Sequence, residues 1–344
     1  MWGESNGCAW NHRWFFGALL RGDGPRTDCP GLAIVLLREG VWGAAGFRAA
    51  FGGRISLDIN TTGVDHLKVL VTGATGNVGR MVVDQLRGSG VEVRALTNNP
   101  SKAALPADVE VVEGYLGRLS IMPAALEGVE RMYLAPLPQT ARDVVELAAR
   151  LGVRRIVALS STEAELEAQG DPSTWYYYAV EVAVEAAAGV ERTHLRAGEF
   201  MTNMLDWAES IRTEGVVRAA YGKAAFAPID MVDIAAVAAR VLLTDGHHGA
   251  KYELTGPESL SKLDRMRIIG EVIGREIQFE ELTHEEARET LIRRDFGEVA
   301  DWLLDGEAQG VVHPQLPSPT VAELLGRPAR TFAEWVADNA AAFR

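Results

Sequence analysis

The stretch Lys68-Val-Leu-Val-Thr-Gly-Ala-Thr-Gly-Asn-Val-Gly-Arg-Met-Val-Val-Asp-Gln-Leu86 decides the fold. Lys68–Thr72 is an apolar run of strand length, and Asn77–Arg87 carries Met81, Val82, Val83 and Leu86 at helical spacing. Between them Gly73, Gly76 and Gly79 recur at every third position. The first glycine permits a tight turn off the strand, and the second lets backbone approach a diphosphate. The third lets the helix pack close to the sheet. The helix start then presents unpaired N–H groups and a partial positive charge to the phosphates. Gly73, Ala74, Thr75, Gly76, Asn77, Val78 and Gly79 are the candidate phosphate loop of a dinucleotide site.

Further along, apolar runs at Val91–Leu96, Val109–Val112, Arg131–Leu134, Arg155–Leu159 and Arg192–Leu195 alternate with helical spacing at Ile121–Glu127, Thr140–Leu151 and Trp175–Ala188. This alternation predicts an α/β fold, a Rossmann-type doubly wound parallel sheet. After about residue 200 the alternation fades. Helices are expected at Met231–Leu243, Leu260–Ile273, His284–Ile292, Glu298–Glu307 and Phe332–Phe343, with short strands near Ala225–Ile229 and Lys251–Leu254. Residues 65–200 therefore read as the cofactor-binding core. Residues 201–344 read as the remaining sheet elements and a smaller, mostly helical substrate lobe over the carboxyl edge of the sheet. Residues 1–64 hold four of the eight tryptophans and no sustained periodicity, and read as an N-terminal extension, poorly ordered or a mis-assigned start.

Composition excludes other classes. The net charge of −13 repels phosphate backbones, which argues against nucleic-acid binding. Apolar runs such as Gly31 to Leu37 are too short to span a bilayer. Both cysteines, Cys8 and Cys29, precede the regular region, so neither a thiol nucleophile nor a disulfide framework serves the main body. A cytoplasmic enzyme with a small-molecule substrate is expected, and a homodimer is compatible with it.

The chain resembles the NmrA-like, atypical short-chain dehydrogenase/reductase family. The resemblance covers Lys68 to the C-terminus. It rests on residues 71–79 (VTGATGNVG), 93–97 (VRALT), 152–161 (GVRRIVALSS), 193–203 (THLRAGEFMTN), 228–235 (PIDMVDIA), 252–260 (YELTGPESL) and 325–335 (LGRPARTFAEW). It implies a Rossmann core, an NAD(P) site and a helical C-terminal lobe, among members that include quinone and azo-compound reductases and cofactor-sensing regulators. This chain departs from it at three positions. Asn98 stands where the family usually has arginine, Tyr115 where an aspartate lies near adenine, and Ala197 where proline follows Leu-Arg.

At the adenosine end, Thr97-Asn98-Asn99 supplies no acid for a ribose 2′-OH and no arginine for a 2′-phosphate. Lys102 is the nearest cation, so NADP(H) is favoured slightly over NAD(H). Asn98, Lys102, Tyr115, Leu116, Ala135, Pro136 and Ser160 complete the candidate cofactor contacts. The lysine-dependent short-chain mechanism needs tyrosine four residues before lysine, yet Val180, Glu181 and Val182 follow Tyr176, Tyr177 and Tyr178 at that spacing. Tyr177, Tyr178 and Ser161 remain the candidate proton donors, with sheet-covering aromatics and a helix-capping serine as the alternatives. Leu137, Phe200, Met201, Asn203 and Trp207 are the candidate substrate pocket.

No metal site is expected. His247-His248 has no third ligand at recognisable spacing. Asp230 and Asp233 suit an N-cap and a macrodipole partner, and His194, inside a strand, reads as packed. The expected activity is NAD(P)H-dependent reduction of a small apolar carbonyl, quinone or enone, which suits a site without the Tyr-Lys pair. A cofactor-sensing regulator and a non-redox biosynthetic enzyme on the same scaffold are the alternatives.

Overall fold

The computed structural model describes residues 67–344 apart from 173, 174, 295 and 298. The proposed extension 1–64 and both cysteines lie outside the described residues. β1 (Lys68–Val71), β2 (Glu92–Thr97), β3 (Glu110–Glu113), β4 (Arg131–Leu134), β5 (Arg155–Ser161), β6 (Glu191–Ala197) and β9 (Lys251–Leu254) form one sheet in the order β3-β2-β1-β4-β5-β6-β9. Every pairing in it is parallel.

Strand parity sorts the core into two layers. Val69 and Val71 of β1 and Val157 and Leu159 of β5 face α1 (Asn77–Leu86) and α7 (Met231–Leu243). Leu70, Ile156 and Ala158 face the opposite layer of α2 (Met122–Leu126), α3 (Pro138–Arg150) and α5 (Tyr177–Glu185). Helix α7 is buried on nearly all sides because it packs between the sheet, α1 and α11 (Thr320–Leu325). Asp230 caps it, accepting from the Val232 N–H at 3.0 Å, and Asp233 in its first turn receives Arg327 Nη2 at 2.6 Å and the Arg330 N–H at 2.7 Å. The capping role expected of this aspartate pair is what the structure has.

The chain winds outward from β1 through β2 to β3, then returns to β4 and winds the other way. The two halves part between β1 and β4, the place where such sheets open a crevice. Thr72 ties the parting strands together, donating its hydroxyl to the Tyr133 carbonyl at 3.0 Å and accepting from the Ala135 N–H at 2.8 Å. Thr72 is fully buried. Thr72→Val leaves the Ala135 N–H unpaired, while the Tyr133 carbonyl keeps the Thr72 N–H at 3.1 Å. It is expected to cost about 1.5 kcal/mol, read as a lower midpoint in urea denaturation, and an unchanged midpoint contradicts this role.

A second body of structure rises from the ends of β6 and β9. It contains α6 (Ala208–Glu214), α8 (Lys262–Ile273), α9 (His284–Arg293), α10 (Ala300–Val312) and α12 (Phe332–Phe343). Two small sheets join it, β7 (Val216–Ala219) parallel to β11 (Gln278–Glu281) and β8 (Ala225–Phe226) antiparallel to β10 (Leu260–Ser261). Its core is Met201, Met204, Ile211, Ile269, Phe332, Trp335 and Phe343. Ser261, Thr283 and Thr331 open α8, α9 and α12 with reciprocal capping boxes.

Candidate functional site

The turn from β1 into α1 is shaped by what glycine lacks. Gly73 sits at φ +60°, and a Cβ there would come 2.9 Å from that of Ala135. A Cβ on Gly79 would lie 2.2 Å from the Gly73 carbonyl oxygen, so only glycine lets α1 pass this close to the strand. Gly76 is different: φ −80° and ψ 174° suit any residue. It is the N-cap of α1, yet no side chain caps the helix and no acid stands in the first turn. An uncapped helix start with glycine at its N-cap, at the edge where the sheet's two halves part, suits a diphosphate. The structure therefore fits a dinucleotide.

Around this turn the end of the second strand carries the residues expected at the adenosine side. Thr75 and Thr97 hydroxyls lie 3.2 Å apart, and the Asn99 carboxamide caps a short 3₁₀ turn by accepting from the Lys102 N–H at 3.2 Å. Asn98 is half-buried and Lys102 exposed. Arg80, which sequence reasoning missed, fastens this segment to α1 by donating to the carbonyls of Ala103 and Ala104 at 2.9 and 3.0 Å. Tyr115 is exposed and lies over Gly117, where a Cβ would meet its ring at 2.4 Å. Leu116 is buried in the α2–α3 layer, and its carbonyl accepts from Thr140.

The β4 and β5 ends bring the catalytic candidates to the same edge. Ala135 abuts Gly73, and the Pro136 carbonyl accepts from the Tyr176 hydroxyl at 3.3 Å, which pins the start of α5 beside the glycine turn. Leu137 is the N-cap of α3. Glu167 from α4 (Ala164–Gln169) accepts from the Tyr176 and Tyr178 N–H groups at 3.1 and 2.7 Å, and so orients the tyrosine run. Tyr177 and Tyr178 are half-buried, with Tyr178 edge-on to Trp175 and Tyr177 edge-on to Tyr176. Burial pushes the Tyr177 phenol well above 10, so it is a neutral donor at ordinary pH. The Ser161 hydroxyl accepts from the Glu163 N–H at 3.1 Å.

Ser160 points the other way. Its position has the parity of Ile156 and Ala158, and its hydroxyl donates to Glu181 at 2.6 Å on the α5 face. Glu181 is fully buried and also receives Arg196 Nε and Nη2 at 2.9 and 3.0 Å. Burial raises its pKa, but the bonds from Arg196 and Ser160 outweigh burial and hold it below 4.5. Glu181, four residues after Tyr177, is thus an anion in a network of its own. Glu181, Arg196 and Lys251 come from three elements, and no local pattern announces their meeting.

Of the pocket candidates, Phe200 bridges to Ile229 and Asn203 is exposed just beyond the β6 end. Met201 is buried and Trp207 packs beside it, both in the lobe core. Gln315, unremarked in the sequence, reaches the same end: its carboxamide accepts from the Ala227 N–H at 3.1 Å and lies 3.5 Å from a Cβ placed on Gly198. His247 is committed to Thr244 and Tyr252 at 2.9 and 2.8 Å. Among the described residues no helix is long and apolar enough to cross a membrane.

A doubly wound parallel sheet with a glycine turn at its parting strands defines a dinucleotide-binding Rossmann protein. A family model described as NAD(P)H-binding matches residues 73–245. The (4-alkanoyl-5-oxo-2,5-dihydrofuran-3-yl)methyl phosphate reductase of Streptomyces griseus is 40% identical over 280 residues, 80% of this chain and 99% of that protein. An NAD(P)H azoreductase of Xenophilus azovorans is 31% identical over 286 residues, 80% of this chain and 99% of its own. Among solved structures, an NADPH-dependent quinone oxidoreductase of Escherichia coli superposes with a TM-score of 0.67 at 28% identity, covering 79% of this chain and 98% of that one. The chain belongs to the NAD(P)H-binding family and is an oxidoreductase.

Proposed function

We propose that this protein is a cytoplasmic reductase that uses NADPH in preference to NADH to saturate a small conjugated carbonyl compound. The class favoured is a 4-alkanoyl-2,5-dihydrofuran-5-one carrying a methyl phosphate, with quinones as surrogate acceptors. The observation that carries this is the uncapped start of α1, with glycine at its N-cap, set beside a tyrosine run with no lysine four residues on. The 40% identity to the Streptomyces griseus reductase over nearly its whole length supports the acceptor class. Residues 65–200 would hold the cofactor and 201–344 the substrate lobe. Asn98 and Lys102, with no acid between Thr97 and Lys102, leave room for a 2′-phosphate.

Reduced nicotinamide, when bound, supplies a hydride. In a ring alkene conjugated to two carbonyls, the displaced electron pair spreads over both oxygens as an enolate, and a proton completes the reduction. So stabilised an enolate needs little acid catalysis, which suits a site without a lysine-activated phenol. Tyr177 or Tyr178 donates to the enolate oxygen, Ser161 holds the second carbonyl, and Leu137, Phe200, Met201, Asn203 and Trp207 enclose the alkanoyl chain.

Replacing both Tyr177 and Tyr178 by phenylalanine is expected to lower kcat about 10-fold, short of the ~10²–10⁴ typical of general acid catalysis. Because the Tyr177 phenol lies above 10, kcat in the parent enzyme is expected to show no fall from phenol ionisation between pH 6 and 9. Steady-state assays on a butenolide, a quinone and an azo compound test the activity. NADPH bound tightly with no acceptor turned over would overturn it.

A further inference from the structure

The space between α5 and the β6–β9 edge holds groups that the reductase chemistry does not use. Glu181 and Glu185 lie one turn apart on α5, so their carboxylates leave the same side of the helix. His194 of β6 faces them, its Nε2 3.7 Å from Glu185 Oε1. His194 is 1% exposed, and neither ring nitrogen has a hydrogen-bond partner among the described residues. A buried histidine with both nitrogens unmet is uncommon and calls for a partner. One ligand atom from each of the three residues lies within 4.8 Å of the others.

A cation already stands there. Lys251, the register partner of His194 on β9, puts its ammonium 3.2 Å from Glu181 Oε2 and 2.8 Å from Glu185 Oε1. Its side chain is one-third exposed, so the ammonium can swing into water while the stem stays put.

We propose that Glu181, Glu185 and His194 form a Zn²⁺ site in which Lys251 is a tethered competitor for the metal position. Two carboxylates and an imidazole suit a borderline divalent ion, and the imidazole disfavours Mg²⁺ or Ca²⁺. Glu185, on the exposed side, closes onto the ion, and water takes the remaining position. Glu181 Oε1 keeps its bonds from Ser160 and Arg196 Nε, and Oε2 keeps Arg196 Nη2 at 3.0 Å, so the carboxylate is held in orientation and Oε2 offers the ion the side that Lys251 vacates. By the same bonds the ion is coupled to the carboxyl end of β5, where Ser160 and Ser161 lie.

The test is titration of the chelator-treated full chain with Zn²⁺ by calorimetry, and with Co²⁺ by its visible absorption. One ion per chain is expected, with cobalt bands of a nitrogen–oxygen site free of thiolate. Glu185→Gln removes a ligand at the surface and is expected to weaken binding about 10-fold or more. Lys251→Gln removes the competitor and is expected to tighten binding about 10-fold, a change of about 1.4 kcal/mol. His194→Gln removes the imidazole but disturbs a buried position, so Glu185→Gln keeps the proposal falsifiable if that variant does not fold. Absence of stoichiometric binding by the parent chain, or equal affinity in the parent and Glu185→Gln, overturns it.

Discussion

Replacing Gly76 by aspartate is expected to abolish dinucleotide binding while leaving the fold standing. The backbone at Gly76, φ −80° and ψ 174°, accepts any residue, and a Cβ there meets only the Gly73 carbonyl at 3.2 Å. Aspartate is a preferred N-cap and would satisfy an open N–H of α1, so the stability of the free protein should change by less than about 1 kcal/mol. The same carboxylate would stand against the diphosphate. Unit charges 4 Å apart repel by about 4 kcal/mol at an effective dielectric of 20, so affinity should fall at least about 100-fold. Gly79→Ala provides the contrast. Its Cβ would strike the Gly73 backbone at 2.2 Å, so stability and binding should fall together. Fluorescence titration with NADPH and urea denaturation separate the cases; a Gly76→Asp variant that binds like the parent contradicts the assignment of the turn.

The second large effect lies at the opposite edge of the sheet. Arg155, at the start of β5 with its side chain 7% exposed, reaches the last turn of α7 and donates to the carbonyls of Leu242 at 3.3 Å, Val241 at 3.4 Å and Thr244. Arg131 on β4 also donates to Leu242. A buried guanidinium, Arg155, and a half-buried one, Arg131, thus close the negative end of the helix beneath the sheet. Arg155 also pairs with Glu191 and Asp245, but those carboxylates are 53% and 89% exposed, so the ion pairs contribute little. The carbonyls decide the outcome. Arg155→Met is expected to cost about 2–3 kcal/mol through acceptors left unpaired, whereas Asp245→Asn should cost about 0.5 kcal/mol or less. Affinity for NADPH should stay within about twofold of the parent in both, since neither residue touches the phosphate turn. An Arg155→Met protein as stable as the parent contradicts this.

Much of the fold was legible because its signals are local. The glycine turn, six strands and the helices at Met231–Leu243 and Phe332–Phe343 follow from periodicity, and the last two match the structure end to end. β7 and β11 escaped because Gln278-Phe-Glu-Glu281 alternates weakly and pairs with residues more than sixty positions away. Such pairing is fixed by tertiary packing rather than propensity. The site divides the same way. The glycine turn from β1 into α1 was legible because its geometry is written in consecutive residues. Ser160 and Ser161 read alike in sequence, yet strand parity sends the first toward Glu181 and leaves the second on the other face. That parity was available from the alternation of β5. The meeting of Glu181, Arg196 and Lys251 was not, since each sits on a different element.

The most direct measurement follows the hydrogen itself. The enzyme is incubated with a 4-alkanoyl-2,5-dihydrofuran-5-one methyl phosphate and NADPH deuterated at each C4 face in turn. One deuterated form is expected to deliver its label to the ring carbon that bears the phosphomethyl group. One NADPH should be consumed for each saturated lactone formed. Unlabelled product from both forms, or no oxidation of NADPH in the presence of that acceptor and of quinones, would contradict the assignment of this protein as a reductase of conjugated carbonyl compounds.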